Sequence, residues 1–339
     1  MMLERYIAGL VEGEDLSEQE AHDALSAIMS GEATDAQIAG FLVALRVKGE
    51  TVAEITGCAR AMREAATHIE AGDADVVDTC GTGGTGKGTF NISTTAALVA
   101  AGAGVPIAKH GNRAASGHWG SADVLEALGV NLAAEPAVVQ RCIREAGIGF
   151  LFAPALHKAM KYAIGPRREL GLRTVFNILG PLTNPAGARR QVLGVFHQDL
   201  VETMARVLGN LGAVRAMVVH SVDGMDEISV CDRTFVAELN GGRVETRYIA
   251  PEDVGLPRSS PDQLTVEGLQ QSAAAVRSVL AGEPGPRRDI VLFNAAAAIY
   301  VGEKAESLAG ALEAAAESID SGRAKETLDR LASVSQSAA

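Results

Sequence analysis

The stretch Cys80-Gly-Thr-Gly-Gly-Thr-Gly-Lys-Gly-Thr-Phe-Asn-Ile-Ser-Thr94 lies between two apolar segments, and it decides the fold. Residues 75–79 before it predict a buried strand, and residues 95–103 after it predict a helix. In a strand–glycine loop–helix unit, free backbone N–H groups point towards an anion. Five glycines within residues 81–88 let the backbone approach a ligand where a Cβ atom would clash. The loop is therefore predicted to bind phosphate.

Several kinds of phosphate ligand compete for this loop. Gly81, Gly83 and Gly86 match the dinucleotide fingerprint, but the next strand leads into the basic run 109–113 instead of an acidic residue for a ribose hydroxyl. The loop also partly matches the pattern of an ATP P-loop, but Gly88 stands where the magnesium-binding hydroxyl should be. The remaining candidates are a sugar diphosphate held between two loops and an ordinary flexible turn.

The second loop favours the sugar diphosphate. Residues 109–121 read Lys-His-Gly-Asn-Arg-Ala-Ala-Ser-Gly-His-Trp-Gly-Ser, between a predicted strand at 105–109 and a predicted helix at 122–128. Two parallel strands then end in two neighbouring polar loops, one rich in N–H donors and one carrying cations. In open α/β sheets, ligands bind outside the carboxyl ends of the strands.

The order of the predicted elements indicates an α/β fold with two domains. Residues 1–70 carry only helix signals, including capping boxes that begin at Ser17, Thr34 and Thr51. Later segments alternate between strands and helices, which predicts a mainly parallel central sheet. The predicted strands are 75–79, 105–109, 148–152, 191–196 and 214–220, followed by a hairpin around 240–242 and a helical tail from about 263.

We therefore predict a small N-terminal helical domain, 1–70, and a larger α/β domain, 71–339, with the active site in the cleft between them. Part of the segment 155–190 is expected to pack onto the helical domain.

Composition excludes several classes of function. Of the 339 residues 47% are apolar, enough for a sizeable core, and the net charge is −12. This acidic balance argues against a nucleic-acid partner. No bilayer-spanning stretch and no signal peptide are seen, and the four cysteines form no C-x-x-C pair. The sequence predicts a cytoplasmic protein with no membrane partner, in which the cations of 109–113 form a focused site for a small anion.

With these motifs in hand, the chain resembles a known family, the anthranilate phosphoribosyltransferases of tryptophan biosynthesis. The resemblance covers essentially the whole chain, in the family's order and spacing. The matching motifs are G-T-G-G at 81–84, N-I-S-T at 91–94, K-H-G-N-R at 109–113, G-S-A-D-V-L-E-A-L-G at 120–129, F-N-I-L-G-P-L-T-N-P at 176–185 and D-E at 226–227. One position departs from the family: Thr85 replaces an aspartate, which removes a carboxylate from the ribose-phosphate side of the pocket.

The resemblance implies a reaction and its cofactor. The phosphoribosyl group of 5-phosphoribosyl 1-diphosphate would pass to the amine of anthranilate, giving N-(5-phosphoribosyl)anthranilate and diphosphate. Mg²⁺ would be the cofactor, and a homodimer the assembly.

The resemblance also implies the residues of the site. Phosphoribosyl diphosphate would be bound by Gly81, Gly84, Thr85, Thr89, Asn91, Ile92, Ser93, Thr94, Lys109, His110, Gly111, Asn112, Arg113, Ala114, Ala115, Ser116, Gly117 and Ser121. Anthranilate would be bound by Gly81, Asn112 and Arg167, and Mg²⁺ by Ser93, Asp226 and Glu227. The catalytic residues would be Lys109, Asp226 and Glu227.

These residue types suit the implied chemistry. Adjacent carboxylates at a strand end suit Mg²⁺ together with substrate phosphates, and a guanidinium suits the carboxylate of anthranilate. Asp223 competes with Asp226 on composition alone, and Arg168 lies beside Arg167 but would face another direction on a helix. His110 could instead be a buried structural histidine.

Two other functions fit less well. A pyrimidine-nucleoside phosphorylase would share the general architecture, but it fits the loop 109–113 and the Asn-Pro segment poorly. A non-catalytic nucleic-acid-binding relative is disfavoured by the acidic net charge and by the intact pair Asp226-Glu227.

Overall fold

The N-terminal part of the chain is a helical bundle. The computed structural model describes residues 2–72, 74–84, 86–114 and 119–337. The bundle consists of α1 (Met2–Val11), α2 (Glu18–Met29), α3 (Asp35–Lys48) and α4 (Val52–Glu64). Ser17, Thr34 and Thr51 each form the predicted capping box, in which the side chain accepts a backbone N–H three residues later and the acid or amide there reciprocates.

Seven strands of the described residues form one sheet in the order β3-β2-β1-β4-β5-β6-β7. They are β1 (Val77–Gly81), β2 (Ile107–Gly111), β3 (Ile148–Phe152), β4 (Arg190–Gly194), β5 (Arg215–Ser221), β6 (Thr234–Asn240) and β7 (Arg243–Ile249). The first five are mutually parallel, and β6 and β7 form an antiparallel hairpin through Gly241 and Gly242. Both glycines have positive φ, which this tight turn requires. The predicted strands and hairpin are confirmed.

The other helices cover both faces of the sheet. They are α5 (Ile92–Gly102), α6 (Ser121–Ala127), α7 (Pro136–Ala146), α8 (Ala153–Leu156), α9 (Lys161–Leu170), α10 (Phe176–Leu179), α11 (Leu200–Asn210), α12 (Leu269–Leu280), α13 (Pro286–Val301), α14 (Leu308–Asp320) and α15 (Arg323–Ser335). Short 3₁₀ turns lie at Lys158–Met160, Gly180–Leu182, Pro251–Val254 and Pro261–Leu264. No helix in the described part of the chain combines the length and apolar character needed to cross a bilayer.

Two large apolar clusters form the core, one on each face of the sheet. On one face, the Ala-rich α13 is buried almost completely and packs against α5 and α14. On the other face, Leu193 of β4 and Val218 of β5 share a cluster with Phe41 and Leu45 of the bundle. The sheet is therefore the middle layer between the C-terminal helices and the bundle.

The segment between β3 and β4 packs onto the bundle. Ala163 of α9 and Phe176 and Leu179 of α10 are buried in the same apolar cluster as Phe41. The chain thus leaves the sheet after β3, contacts the bundle, and returns to the sheet at β4. One side chain of this segment, Arg173, consequently reaches the glycine loop from the bundle side.

Candidate active site

The candidate site lies at the edge of the sheet where its parallel strands end. Gly81 at the end of β1 is in register with Gly194 at the end of β4, and β2 ends nearby at Gly111. Because these strands are parallel, the loops that follow them meet at one edge. The glycine loop, the basic loop and the turn that carries the acidic pair are therefore brought together, as the sequence predicts.

The glycine loop is tied to the acidic pair. The backbone N–H of Gly83 donates to Oδ2 of Asp226 at 2.8 Å. Beside it, Thr82 donates its N–H to the carbonyl of Gly194 at 2.9 Å, and its hydroxyl accepts the N–H of Phe196 at 2.9 Å. Gly83 and Gly84 both have positive φ, a conformation that side chains with a Cβ atom rarely adopt. Glycine is thus required for the path of this loop.

Gly194 is a functional position that the sequence reasoning missed. A Cβ atom there would overlap the carbonyl oxygen of Asp226, which is a backbone atom. A Cβ atom on Gly81 would also lie 2.6 Å from Oδ2 of Asp226. The two glycines let the acidic turn press against the ends of β1 and β4. The sequence signal was weak, because Gly194 ends a strand without any surrounding motif.

Asp226 and Glu227 form a half-buried pair of carboxylates. Burial raises the pKa of Asp226, and burial followed by the charge of Asp226 raises the pKa of Glu227 well above its usual value. Among the described residues, no basic side chain forms an ion pair with either carboxylate. Two crowded negative charges that lack a direct ion-pair partner are the environment that a divalent cation would relieve.

The competing carboxylate, Asp223, has a structural role. Its Oδ2 accepts the hydroxyl of Ser229 at 2.6 Å, and its Oδ1 accepts the N–H of Met225 at 3.2 Å. The side chain of Asn294 on α13 then clamps the same turn, accepting the N–H of Ile228 at 3.0 Å and donating to its carbonyl at 2.8 Å. These contacts fix the turn on both sides of the acidic pair.

The start of α5 presents polar groups to the same edge. Asn91 is the N-cap residue, its side chain accepts the hydroxyl of Thr94, and its N–H donates to the hydroxyl of Ser272 at 3.2 Å. Thr89, just before the helix, pairs with Thr265 in an isolated β-bridge. Ile92 has its side chain buried in the core, so only its backbone can meet a ligand.

Lys109 is buried rather than open to the cleft. Its side chain is 1% exposed, and its ammonium donates to the carbonyl of Thr79 and to the hydroxyl of Ser93, the latter at 3.4 Å. Burial lowers the pKa of Lys109, and the negative charges of Asp78 and Glu227 oppose that effect. Its positive charge therefore lies directly behind Ser93 at the start of α5.

His110 forms a buried pair with His157, which the sequence reasoning did not identify. Their Nε2 atoms are 3.2 Å apart, and the N–H of His110 donates to Oδ1 of the buried Asp78 at 3.1 Å. Burial lowers the pKa of His110 to about 3, with a further contribution from His157, and burial lowers the pKa of His157 to about 4. Both rings are therefore neutral at pH 7.

The basic loop is held by ion pairs to α6. Arg113 donates to Asp123 at 2.7 Å and to both oxygens of Glu126 at 2.8 and 2.9 Å. The other oxygen of Asp123 accepts the N–H groups of Gly120 at 2.8 Å and Ala114 at 3.3 Å. The guanidinium of Arg113 is thus engaged with α6, and Asp123 joins both stems of the loop.

Other predicted residues of the basic loop lie close to these stems. The hydroxyl of Ser121 donates to the carbonyl of Asn112 at 3.4 Å, and Gly111 ends β2 beside Phe150. The predicted binding residues Thr85, Ala115, Ser116 and Gly117 lie outside the described residues.

Two arginines of the segment between β3 and β4 differ in what they contact. Arg167 in α9 is half-buried over the ring of Phe176, 4.9 Å from its centroid, whereas its neighbour Arg168 is exposed. Burial lowers the pKa of Arg167. Arg173, which the sequence reasoning did not identify, donates to the carbonyl of Gly84 at 2.7 Å. The sequence offered no signal for Arg173 beyond its place in the segment 155–190.

Comparisons with known proteins agree along the whole chain. Residues 73–325 match the model of the glycosyl transferase family a/b domain, and residues 4–66 match the model of its helical bundle domain. The anthranilate phosphoribosyltransferase of Symbiobacterium thermophilum is 57% identical over 95% of this chain and 94% of its own. That of Thioalkalivibrio sulfidiphilus is 56% identical over 99% of this chain and 100% of its own.

Solved structures give the same result. The anthranilate phosphoribosyltransferase of Thermus thermophilus superposes with a TM-score of 0.93 at 46% identity, over 98% of this chain and 99% of that chain. The Saccharomyces cerevisiae enzyme in complex with phosphoribosyl diphosphate and Mg superposes with a TM-score of 0.89 at 28% identity, over 99% of this chain and 98% of that chain. The yeast enzyme in complex with 4-fluoroanthranilate gives a TM-score of 0.88 at 27% identity, with the same coverage.

Proposed function

Because the chain belongs to the anthranilate phosphoribosyltransferases of the glycosyl transferase family, we propose that the edge of the sheet described above is its active site. The enzyme transfers the phosphoribosyl group of 5-phosphoribosyl 1-diphosphate to the amine of anthranilate. The products are N-(5-phosphoribosyl)anthranilate and diphosphate, in tryptophan biosynthesis. The location of the active site is supported above all by the hydrogen bond between Gly83 and Asp226, which joins the predicted phosphate-binding loop to the acidic pair.

Phosphoribosyl diphosphate is bound by backbone and hydroxyl donors at this edge. The N–H groups of Gly81 and Gly84, and those at the start of α5, supply uncharged donors to its phosphates. Ser93 and Thr94 lie at the positive end of the α5 dipole, which favours an anion by roughly 0.3–1 kcal/mol. The complete set is Gly81, Gly84, Thr85, Thr89, Asn91, Ile92, Ser93, Thr94, Lys109, His110, Gly111, Asn112, Arg113, Ala114, Ala115, Ser116, Gly117 and Ser121, with Ile92 acting through its backbone.

Mg²⁺ is the cofactor, and the residues present suit it. Asp226 and Glu227 are crowded carboxylates without an ion-pair partner in the described part of the chain, and Ser93 adds a hydroxyl ligand. Oxygen ligands from one or two carboxylates together with substrate phosphates are typical for this ion. Bound there, Mg²⁺ neutralises negative charge on the diphosphate.

Lys109 acts through its charge. Its ammonium lies behind Ser93 at 3.4 Å, so it raises the positive potential at the start of α5 where the diphosphate binds. Burial strengthens this effect because water does not screen it. As the bond from ribose C1 to the diphosphate oxygen breaks, negative charge grows on the leaving group, and a fixed positive charge stabilises that change.

Anthranilate is bound on the side of the cleft that faces the bundle. The half-buried guanidinium of Arg167 can pair with its carboxylate through two parallel hydrogen bonds. Asn112 and the backbone of Gly81 then hold the amine near the ribose. Orientation of the two substrates supplies much of the rate, because the amine is a weak nucleophile and must meet C1 as the diphosphate departs.

Domain organisation and assembly are further parts of this proposal. We divide the chain into domains 1–70 and 71–339, with part of 155–190 on the first, supported by the packing of α9 and α10 on the bundle. A homodimer through the bundle is supported by exposed apolar side chains, Val47 on α3 and Ile164 on α9, which are 82% and 53% exposed. Light scattering of wild type and of Val47→Glu tests the dimer.

We also propose that the protein is cytoplasmic. This location is supported by four cysteines that all remain unpaired, as expected in a reducing compartment. Fractionation of cells that make the tagged protein tests it.

Loss of anthranilate fluorescence tests the reaction. The purified protein with anthranilate, phosphoribosyl diphosphate and Mg²⁺ should consume anthranilate and release one diphosphate for each anthranilate lost. Omission of Mg²⁺ should stop both signals. A protein that consumed neither substrate under these conditions would refute the function.

A further inference from the structure

Arg173 connects the segment packed on the bundle to the glycine loop. It lies in the turn between α9 and α10, and its guanidinium donates to the carbonyl of Gly84 at 2.7 Å. The same guanidinium lies over the ring of Phe196, 4.4 Å from the centroid. The Arg173 side chain therefore extends from the bundle side and contacts both the glycine loop and the segment that follows β4.

The turn that carries Arg173 is fixed from the bundle side. Val175 and Phe176 are buried in the apolar cluster of the bundle. Thr174 is buried too, and its N–H donates to the side chain of Asn177 at 2.9 Å. The position of the Arg173 backbone is thus set by the bundle, although its side chain acts on the α/β side.

Arg173 and Phe196 hold the two residues of the glycine loop that flank Gly83. Arg173 binds the carbonyl of Gly84, and the N–H of Phe196 binds the hydroxyl of Thr82 at 2.9 Å. Gly83, which donates to Asp226, lies between them. The orientation of the Gly83 N–H towards the acidic pair therefore depends on both flanking contacts.

From these contacts we infer that Arg173 is a positioning residue that holds the glycine loop against the acidic pair for binding of the metal–diphosphate end of the substrate. This inference rests on the proposed function for the identity of the substrate. Among the described residues Arg173 has no carboxylate ion-pair partner, so its charge also adds to the positive potential at the loop. The stacking on Phe196 depends on the planar shape of the guanidinium, which a lysine ammonium lacks.

The inference predicts different effects on the Michaelis constants of the two substrates. Loss of the Arg173 contact should loosen the loop that receives the diphosphate, while Arg167 and its contact with Phe176 stay in place. The Michaelis constant for phosphoribosyl diphosphate should then rise on the order of tenfold in Arg173→Gln, from the loss of a charge-assisted hydrogen bond. The constant for anthranilate and the melting temperature should stay close to wild type.

Conservative and control variants test the geometry. Arg173→Lys keeps the charge but not the planar stack, and it should resemble Arg173→Gln more than wild type. Phe196→Leu should raise the same constant, and its effect should combine with that of Arg173→Gln less than additively, because both act on one loop. Arg233→Lys is the matched control, since the guanidinium of Arg233 also lies over an aromatic ring, that of Tyr248 at 4.5 Å.

Hydrogen exchange of the substrate-free protein gives a readout that does not depend on turnover. The amide of Gly83 should exchange faster in Arg173→Gln than in wild type, and in Arg233→Lys it should not. Inactive wild-type protein would refute the proposed function alone. Wild-type exchange at Gly83 in Arg173→Gln would overturn the inference, and so would full rescue of substrate binding by Arg173→Lys.

Discussion

Gly83 and Asp226 are joined by a hydrogen bond of 2.8 Å although they lie 143 positions apart in the chain. The glycine loop and the acidic pair are consequently one structural unit. Asp226 has two roles in this unit: its oxygen accepts the loop amide, and its charge is available to a cation. The two roles can be separated by substitution, because an asparagine retains an accepting oxygen but not the charge.

The first prediction uses this separation. Asp226→Asn combined with Glu227→Gln should remove nearly all activity and raise the Mg²⁺ concentration needed for the remainder. It should not lower stability, because burial disfavours the charged forms of both carboxylates. Asp226→Ala should also lose the bond to Gly83 and cost about 1 kcal/mol in the free energy of unfolding. Kinetics across a Mg²⁺ titration and urea denaturation measure the two effects. A double variant with the Mg²⁺ dependence of wild type would refute the metal assignment.

The second prediction concerns the close approach at Gly194. In Gly194→Ala the new methyl group meets the carbonyl of Asp226, so the acidic turn must move. We expect a cost of about 1–3 kcal/mol in stability and loss of activity. Gly209→Ala in α11 is the control, since its Cβ atom would reach only ordinary contact with Leu239 and would favour the helix. Denaturation curves and activity assays of both variants should therefore diverge.

The sequence predicted the architecture because local signals agree with it. Predicted strands and helices alternate along the α/β domain, and α2, α3 and α4 each begin with a capping box. The connections between distant segments were not predictable. Arg173 meets Gly84 across 89 positions and His157 meets His110 across 47, and nothing near either residue marks its partner. The burial of Lys109 was not predictable either, because lysine side chains are usually exposed.

The third prediction identifies the arginine that binds the acceptor. Arg167→Ala should raise the Michaelis constant for anthranilate by the equivalent of about 1.5–3 kcal/mol, and should affect the constant for phosphoribosyl diphosphate far less. Arg168→Ala should have little effect, because Arg168 is exposed whereas Arg167 is half-buried. Steady-state kinetics with each substrate varied in turn measures this. The reverse pattern would mean that the family correspondence is wrong by one residue.

The fourth prediction tests how Asp123 holds the basic loop. One oxygen of Asp123 accepts two backbone N–H groups and the other accepts Arg113, so an amide cannot satisfy all three donors. Asp123→Asn should raise the Michaelis constant for phosphoribosyl diphosphate about three- to tenfold. Glu126→Gln, which contacts Arg113 but neither stem of the loop, should have a smaller effect. Equal effects of the two substitutions would show that only the charge around Arg113 matters.

The fifth prediction follows from the buried pair His110–His157. Burial depresses the folded-state pKa values to about 3 and about 4, below the value of roughly 6.5 in an unfolded chain. The stability from keeping both rings neutral is therefore fully present above pH 6.5 and is lost as the pH falls towards 4 and then 3, because the unfolded chain binds protons first. Between pH 7.5 and pH 5 each ring should contribute a loss of about 2 kcal/mol.

His157→Gln isolates one of these contributions. Glutamine keeps a polar group beside His110 but cannot take up a proton, so the variant should lose about 2 kcal/mol less than wild type between pH 7.5 and pH 5. Carboxylates such as the buried Asp78 titrate in both proteins, and their contribution cancels in the difference. Urea denaturation of the two proteins at both pH values provides the measurement. Parallel loss of stability in wild type and variant would show that His157 takes up a proton as readily in the folded protein as in the unfolded chain.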